Sequence, residues 1–517
     1  MAPFLRFSAV LVTLAATALA ASCGLNRVER RLVGPQQAVT LDSASPYLKA
    51  HLKNGSLYVL SRWRADTAAA VIVGTGQLFD PNRAVVDTGE FHVPLDSVAL
   101  FETNVLRPSH TRTALTVMAG ITAAIAGLCA TSPKTCFGSC PTFYAPDSTG
   151  KSLLVAEGFS SSIAPALEAT DVDMLPRARA LTRDFTVRMT NEAFETHVIR
   201  WADLLIAPRP QGGRVFVTPD GQFRAASDFA APINCTAAEG DCRSAVGQLD
   251  GRERSSLADS TDLGAREIID LEFSPSMSYN VGLVITARQT LLTTFLIYQS
   301  LAYMGHEASR FLAALETAGP GLRERARGMG QVLGRIEALV QGADSSWVVV
   351  GTVGETGPLA SDTKILPLPA SVASVSKIRL RLTRGLWRID YVALATLGAP
   401  IAVQRLQPQR VRRDGRDDPV ALATLRDSAR VLTTMPGDAY ELTYRLPAHP
   451  ERYELFLEAR GYYLEWMRRE WFAEEDHAAA LGLLLDPANA MRRLAPAYKR
   501  VEPDIERLFW NSRYVTH

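Results

Sequence analysis

The chain has 517 residues, too many for one hydrophobic core, and at roughly 150 residues per domain it divides into about three. Its 55 Lys and Arg balance 54 Asp and Glu, so a formal net charge of +1 leaves no single-signed field to attract nucleic acid. No basic face with interleaved aromatic residues occurs either, and nucleic acid is excluded as a partner.

Arg6 supplies a positive start, residues 9–19 an apolar run, and Ala18-Leu19-Ala20 small residues at a cleavage site. That is the layout of an export signal, read over residues 1–22. Ala20-Ala21-Ser22-Cys23-Gly24 resembles a bacterial lipobox, with alanine three places before the cysteine where leucine is usual. The resemblance implies that Cys23 is diacylated and becomes the mature N-terminus. Gly24, in place of aspartate, implies sorting to the outer membrane. Two or three acyl chains anchor stably where one does not. The expectation is an envelope lipoprotein facing the periplasm or the surface, with residues 23–46 as a tether.

Cys129, Cys136, Cys140, Cys235 and Cys242 remain, and in an oxidising compartment they should pair where geometry allows. Cys235 and Cys242 flank the polar residues 236–241 and predict a local disulfide. The other three leave one thiol over, with Cys129–Cys136 or Cys136–Cys140 as the pairing.

Residues 47–53 and 56–60 alternate around Asn54-Gly55, a hairpin signal, and residues 70–73 and 90–95 continue a small β domain over 47–104. Gly74-Thr75-Gly76 lacks the third glycine and the following helix of a dinucleotide loop. Residues 112–131 predict a helix, uncharged and rich in small residues over 113–130, that is buried, at a membrane surface or spanning. From residue 132 to 286, short strands separated by Gly, Pro and Asp turns predict a central β-sandwich. Residues 291–304 and 322–340 read as two helices of an αα-hairpin within 287–342. Alternation at 377–382 and 386–394, with later strands at 440–444 and 453–458, predicts a second sandwich over 345–462. That set resembles a galactose-binding-like jelly roll. Helices close the chain over 463–517, one of them opening at Asp486-Pro487. The fold class is thus mainly β with α additions, in several domains.

No Gly-x-Ser-x-Gly elbow, Walker loop or His-Glu-x-x-His helix is present, and the 8 histidines are scattered. Ser361-x-x-Lys364 and Ser374-x-x-Lys377 match a Ser-x-x-Lys pattern without partner motifs, and read as chance. Glu192, Glu195 and His197 gather carboxylates around an imidazole, which reads as a turn and a satisfied strand histidine rather than a metal or acid–base group. Glu168, Asp171 and Asp173 offer oxygen ligands for calcium.

Cys136-x-x-x-Cys140-Pro141 is similar to the copper-binding loop of Sco-type assembly proteins, which implies a soft metal or thiol exchange at Cys136 and Cys140. Cys136-Phe-Gly-Ser-Cys-Pro-Thr-Phe-Tyr144, with Ala156-Glu-Gly-Phe-Ser160 and Asn191-Glu-Ala-Phe-Glu-Thr-His197, resembles an uncharacterised group of exported bacterial proteins whose β domain begins with a Cys-Pro-x-x-Tyr strand. The resemblance covers residues 45–511 and implies no activity. Trp387, Tyr391, Tyr462 and Tyr463 are the aromatic residues available to stack on a sugar or protein, or to fill the core. The expected function is a binding or scaffold module with an envelope protein or glycan as partner, and with no catalytic residue or cofactor. Thiol or copper handling and glycan processing are the alternatives.

Overall fold

The structure, a computed structural model, describes residues 26–52, 56–79, 85–108, 140–160, 162–163, 165–274, 280–308, 328–342, 345–354, 357–369, 376–466 and 469–511. Cys23, Cys129, Cys136 and the apolar segment 112–131 lie outside them. No helix of the described residues is long and apolar enough to cross a membrane. Two units divide the chain, Met1–Gly127 and Leu128–His517.

In the first unit, alternation at Leu48, Ala50 and Leu52 turns three apolar side chains to one face, where they meet Leu60, Ile72, Val93, Val98 and Phe101. The sheet they line has six antiparallel strands in the order Asn26–Val33, Val98–Pro108, Leu48–Leu52, Leu57–Asp66, Val71–Phe79 and Val85–Pro94. Gly74 and Gly76 sit inside a strand. A Cβ on Gly76 would lie 2.0 Å from the Val59 carbonyl oxygen, and one on Gly74 would lie 2.7 Å from that of Arg62. Close backbone approach beside the bulge at Leu60/Arg62 is the reason for both glycines. The expected tether is corrected: Asn26–Val33 pairs residue for residue with residues 101–108, and Pro35–Thr40 makes a 3-10 turn. An edge strand needs a ladder more than an apolar face, and the charged run Glu29-Arg30-Arg31 concealed it.

The second unit is built from four sheets. Sheet I runs Arg416–Asp417, Arg410–Arg413, Ala439–Arg445, Asp184–Thr190, Thr142–Pro146 and Ser152–Glu157. Sheet II runs Gln404–Leu406, Glu195–Pro208, Tyr453–Glu465 and Ala169–Met174, with Leu432–Thr434 also on Glu195–Pro208. Sheet III runs Phe223–Ala230, Arg214–Val217, Asp362–Pro367, Val281–Gln289, Trp387–Pro400 and Arg254–Ser255. Phe223–Ala230 pairs again with Trp387–Pro400, which closes part of sheet III on itself. Sheet IV runs Gly240–Asp241, Asn234–Ala237, Arg266–Glu272, Lys377–Thr383, Ile336–Gln341 and Trp347–Val353.

The period-two geometry of a strand stacks these sheets. Leu204, Ile206, Leu455 and Leu457 of sheet II share a core with Phe185, Val187 and Leu442 of sheet I. Their neighbours Leu205, Ala207 and Phe456 share another with Val284, Ile365 and Leu397 of sheet III. Leu283, Ile285, Ile389 and Leu394, from the other face of sheet III, join Ile269, Leu271, Ile378 and Leu380 of sheet IV. Sheets II and III are therefore buried on both faces, which explains their nearly unbroken apolar runs. Each such Leu or Ile contributes about 1.5–3 kcal/mol by leaving water.

Every one of these sheets combines strands from before residue 287 with strands from after residue 335, so the boundaries at 286 and 345 do not separate two sandwiches. Lys377–Thr383 pairs with Arg266–Glu272 and Ile336–Gln341, whereas Trp387–Pro400 pairs with Val281–Gln289 in a different sheet. Gly385, at φ +76° and against the Ala258 backbone, carries the chain from sheet IV to sheet III. Glu195–Pro208 is one 14-residue strand with a bulge between Ile199 and Trp201.

Leu292–Met304 is the helix its sequence predicts. The second helix of the expected hairpin is helical only at Gly328–Leu333 among the described residues. Gly334, at φ +64°, stops it, and Ile336–Gln341 is a strand of sheet IV. The strand Tyr453–Glu465 also runs into the region expected to be helical, ahead of Arg469–Phe472 and His477–Leu485. Asp486 caps Pro487–Val501 by accepting from the Asn489 N–H at 3.2 Å.

Candidate functional site

Cys235, on a strand of sheet IV, and Cys242, just before the short helix Arg243–Val246, form the predicted disulfide with Cα atoms 5.1 Å apart. Cys140 is a free thiol, only 4% exposed, and the other cysteines of the two pairings left open lie outside the described residues. Pro141 starts the strand Thr142–Pro146, and the thiol ahead of it turns inward beside Glu157. Burial pushes its pKa well up, the Glu157 and Glu195 carboxylates add to that, and a hydrogen bond with Tyr463 opposes it. A reactive thiolate or a soft-metal ligand needs the opposite shift. No group of three or more His, Cys, Asp or Glu among the described residues is placed to hold a metal.

Glu157 ends the strand Ser152–Glu157 with its carboxyl buried. The Leu359 N–H donates to its Oε2 at 2.7 Å, and the Ala360 N–H also donates to it. A Cβ on Gly357 would lie 2.1 Å from the same oxygen, so glycine there opens the cradle. Burial, opposed by those N–H groups and by Cys140, pushes the pKa of Glu157 up to about 7. Nothing in Val155-Ala156-Glu157-Gly158 announces this, because the donors come from 202 residues further along the chain.

His197 is fully buried, with Nε2 2.7 Å from Glu195 Oε1 two residues away on the same face of the strand. Its register partners are Tyr463 and Thr434, which makes it a sheet-core histidine. The calcium candidates separate. Glu168 accepts from Arg200 and, at 3.2 Å, from Arg460. Asp173 is buried, and burial, then Asp171 and Asp362, raise its pKa against Lys364. Lys364 Nζ lies 2.7 Å from Asp362 and donates to the Val172 carbonyl at 2.7 Å. Burial works against this ammonium, and Asp362 and Asp171 outweigh it. Ser361 instead donates to Glu253 at 3.3 Å. Residues three apart in extended chain face opposite ways, so Ser361 and Lys364 form no dyad.

The four aromatic candidates do not make a platform. Trp387 is 1% exposed, within the core between sheets III and IV. Tyr391 packs against the core between sheets II and III. Tyr462 is partly buried, and Tyr463 is buried with its hydroxyl donating to the Ser160 carbonyl at 3.2 Å.

The chemistry left open to a ligand gathers elsewhere. A cavity of about 260 Å³ in the second unit is walled by Leu154, Leu249 and Leu359 and carries Arg177, Glu253, Arg288, Ser361 and Asp390. Two of its charges satisfy each other: Arg288 donates to both Glu253 oxygens at 2.6 and 2.7 Å and to the Pro358 carbonyl at 2.6 Å. Burial works against that guanidinium, and Glu253 more than compensates.

The other two charges are not spent this way. Asp390 is 3% exposed, and its Oδ1 accepts from the Gly251 N–H at 3.0 Å and the Asp250 N–H at 3.3 Å. Its second oxygen accepts from no donor among the described residues. Burial raises the pKa of this carboxyl, the two N–H groups oppose it, and Glu253 and Asp250 add to it. Arg177 is exposed at the cavity rim, with no ion pair or hydrogen bond to the described residues. Its Nη1 stands 3.4 Å from where a Cβ on Gly251 would lie, and Gly251 holds φ +84°. Gly251 thus has the carboxylate at its N–H and the cation beside its α-carbon. The legible clue was a single aspartate in the apolar strand Trp387–Pro400. Comparison with protein-family models and with curated proteins returns no match, so the functional reading rests on these residues.

Proposed function

We propose that the protein is a lipid-anchored binding module of the cell envelope, held to the outer membrane through Cys23 and acting by binding, without catalysis. The cavity at Arg177 and Asp390 carries this reading. It pairs one unengaged cation with one half-engaged carboxylate, and both oxygens of its other carboxylate, Glu253, are occupied by Arg288. A ligand, envelope glycan or protein segment reaching into it meets polar groups fixed on a rigid sheet scaffold. Thiol or copper handling is opposed by the burial of Cys140. Stacking on a glycan is opposed by the burial of Trp387 and Tyr463.

The test is thermal denaturation of the full chain in detergent against separate panels of sugars, amino acids, nucleosides and phosphate. A ligand at 100 times its Kd adds about 2.7 kcal/mol, a rise in Tm of a few degrees. At least one compound should stabilise the protein, and Arg177→Met should abolish the effect. No stabilisation by any compound, or stabilisation untouched by Arg177→Met, would contradict the reading.

A further inference from the structure

The same cavity specifies the class of its ligand, an inference that rests on the binding-module reading above. We propose that it takes a small zwitterion of the amino-acid type, whose ammonium donates to the free oxygen of Asp390 and whose carboxylate accepts from Arg177. The two protein charges are of opposite sign, flank one residue, Gly251, and do not pair with each other. A molecule carrying an ammonium and a carboxylate on adjacent atoms of one carbon frame offers a charge-assisted hydrogen bond to each of these two groups. Asp390 is buried without a cation, an arrangement that costs free energy in the empty site and is relieved when a ligand supplies one.

The walls narrow the class further. Leu154, Leu249 and Leu359 present aliphatic surface suited to an apolar side chain. No aromatic ring lines the cavity, so a pyranose finds no stacking face. About 260 Å³ holds one small molecule rather than a length of polymer. A free amino acid and the ethanolamine headgroup of a phospholipid share the zwitterion, and the test separates them.

Isothermal titration of the full chain in detergent with L-leucine, L-leucinamide, 4-methylpentanoate and glycerophosphoethanolamine is the decisive experiment, alongside a panel of the other amino acids. Leucine, or another aliphatic amino acid, should bind, and removal of either charge from it should weaken binding at least about tenfold. Arg177→Met should cost the amino acid about tenfold and the amide little, and Asp390→Asn should cost the amide more than the carboxylate. Arg177 is exposed, so its variant keeps the test decisive if Asp390→Asn fails to fold. Tight binding of glycerophosphoethanolamine alone would assign the zwitterion to a lipid headgroup and overturn the amino-acid assignment. Equal affinity for leucine and its amide, or indifference to Arg177→Met, would overturn the zwitterion. If amino acids fail while a sugar or phosphate stabilises the protein, this inference falls and the binding-module reading stands. If nothing binds, both fall.

Discussion

Glu157 is a buried carboxyl whose proton affinity differs between the folded and unfolded chain. Its folded pKa of about 7 lies above the ordinary 4.5, so the folded state holds the proton more tightly than the unfolded chain. Its contribution is therefore fully present below pH 4.5 and is lost as pH rises to 7, by about 3 kcal/mol. Glu157→Gln keeps the oxygen that accepts from Leu359 and removes the titration. Urea unfolding at pH 5, 6.5 and 8 should show the wild type weakening across this window relative to Glu157→Gln. An identical pH dependence in both would remove Glu157 from the account. The sequence marked Cys140, two residues ahead of the strand Thr142–Pro146, yet the cradle at 357–360 and the Gly251 peptide were invisible in it. Both sites are assembled by backbone N–H groups, which leave no side-chain signature.

Among the elements, strands were legible and partners were not. Alternation in Lys377–Thr383 gives the buried face correctly, while pairing to Arg266–Glu272 depends on crossings that no local pattern encodes. Residues 322–340 read as a continuous helix because their apolar spacing fits one. The stop lay in Gly334, whose positive φ and contact with Arg266 end the helix. Gly76 offers the sharpest test at this scale. Gly76→Ala drives a methyl into the Val59 carbonyl and should destabilise the first unit by about 2–4 kcal/mol. Hydrogen exchange should then quicken in Leu57–Asp66 and Val71–Phe79 and stay unchanged in Val281–Gln289 of the second unit. Unchanged exchange in all three would mean that the sheet register at Gly76 is wrong.

For the whole molecule, the loss of the tether changes what anchoring does. The strand Asn26–Val33 starts three residues beyond Cys23, so a lipid on that cysteine would hold the first sheet within about 10 Å of its attachment point. Cys23→Ser should move the protein from the membrane to the soluble envelope fraction, and persistence in the membrane would assign retention to another segment. The interleaving of all four sheets of the second unit makes its core common to the early and late halves of the chain, a rigid base for the cavity.

Intact mass spectrometry of the mature protein from membranes, with alkylation before and after denaturation and a metal scan, bears most directly on binding without thiol chemistry. The account predicts a diacylated Cys23, a Cys235–Cys242 bridge, a Cys140 that is alkylated only after denaturation, and no stoichiometric metal. Rapid alkylation of Cys140 in the native protein, together with stoichiometric copper, would contradict it and move the working centre to the Cys136–Cys140 loop.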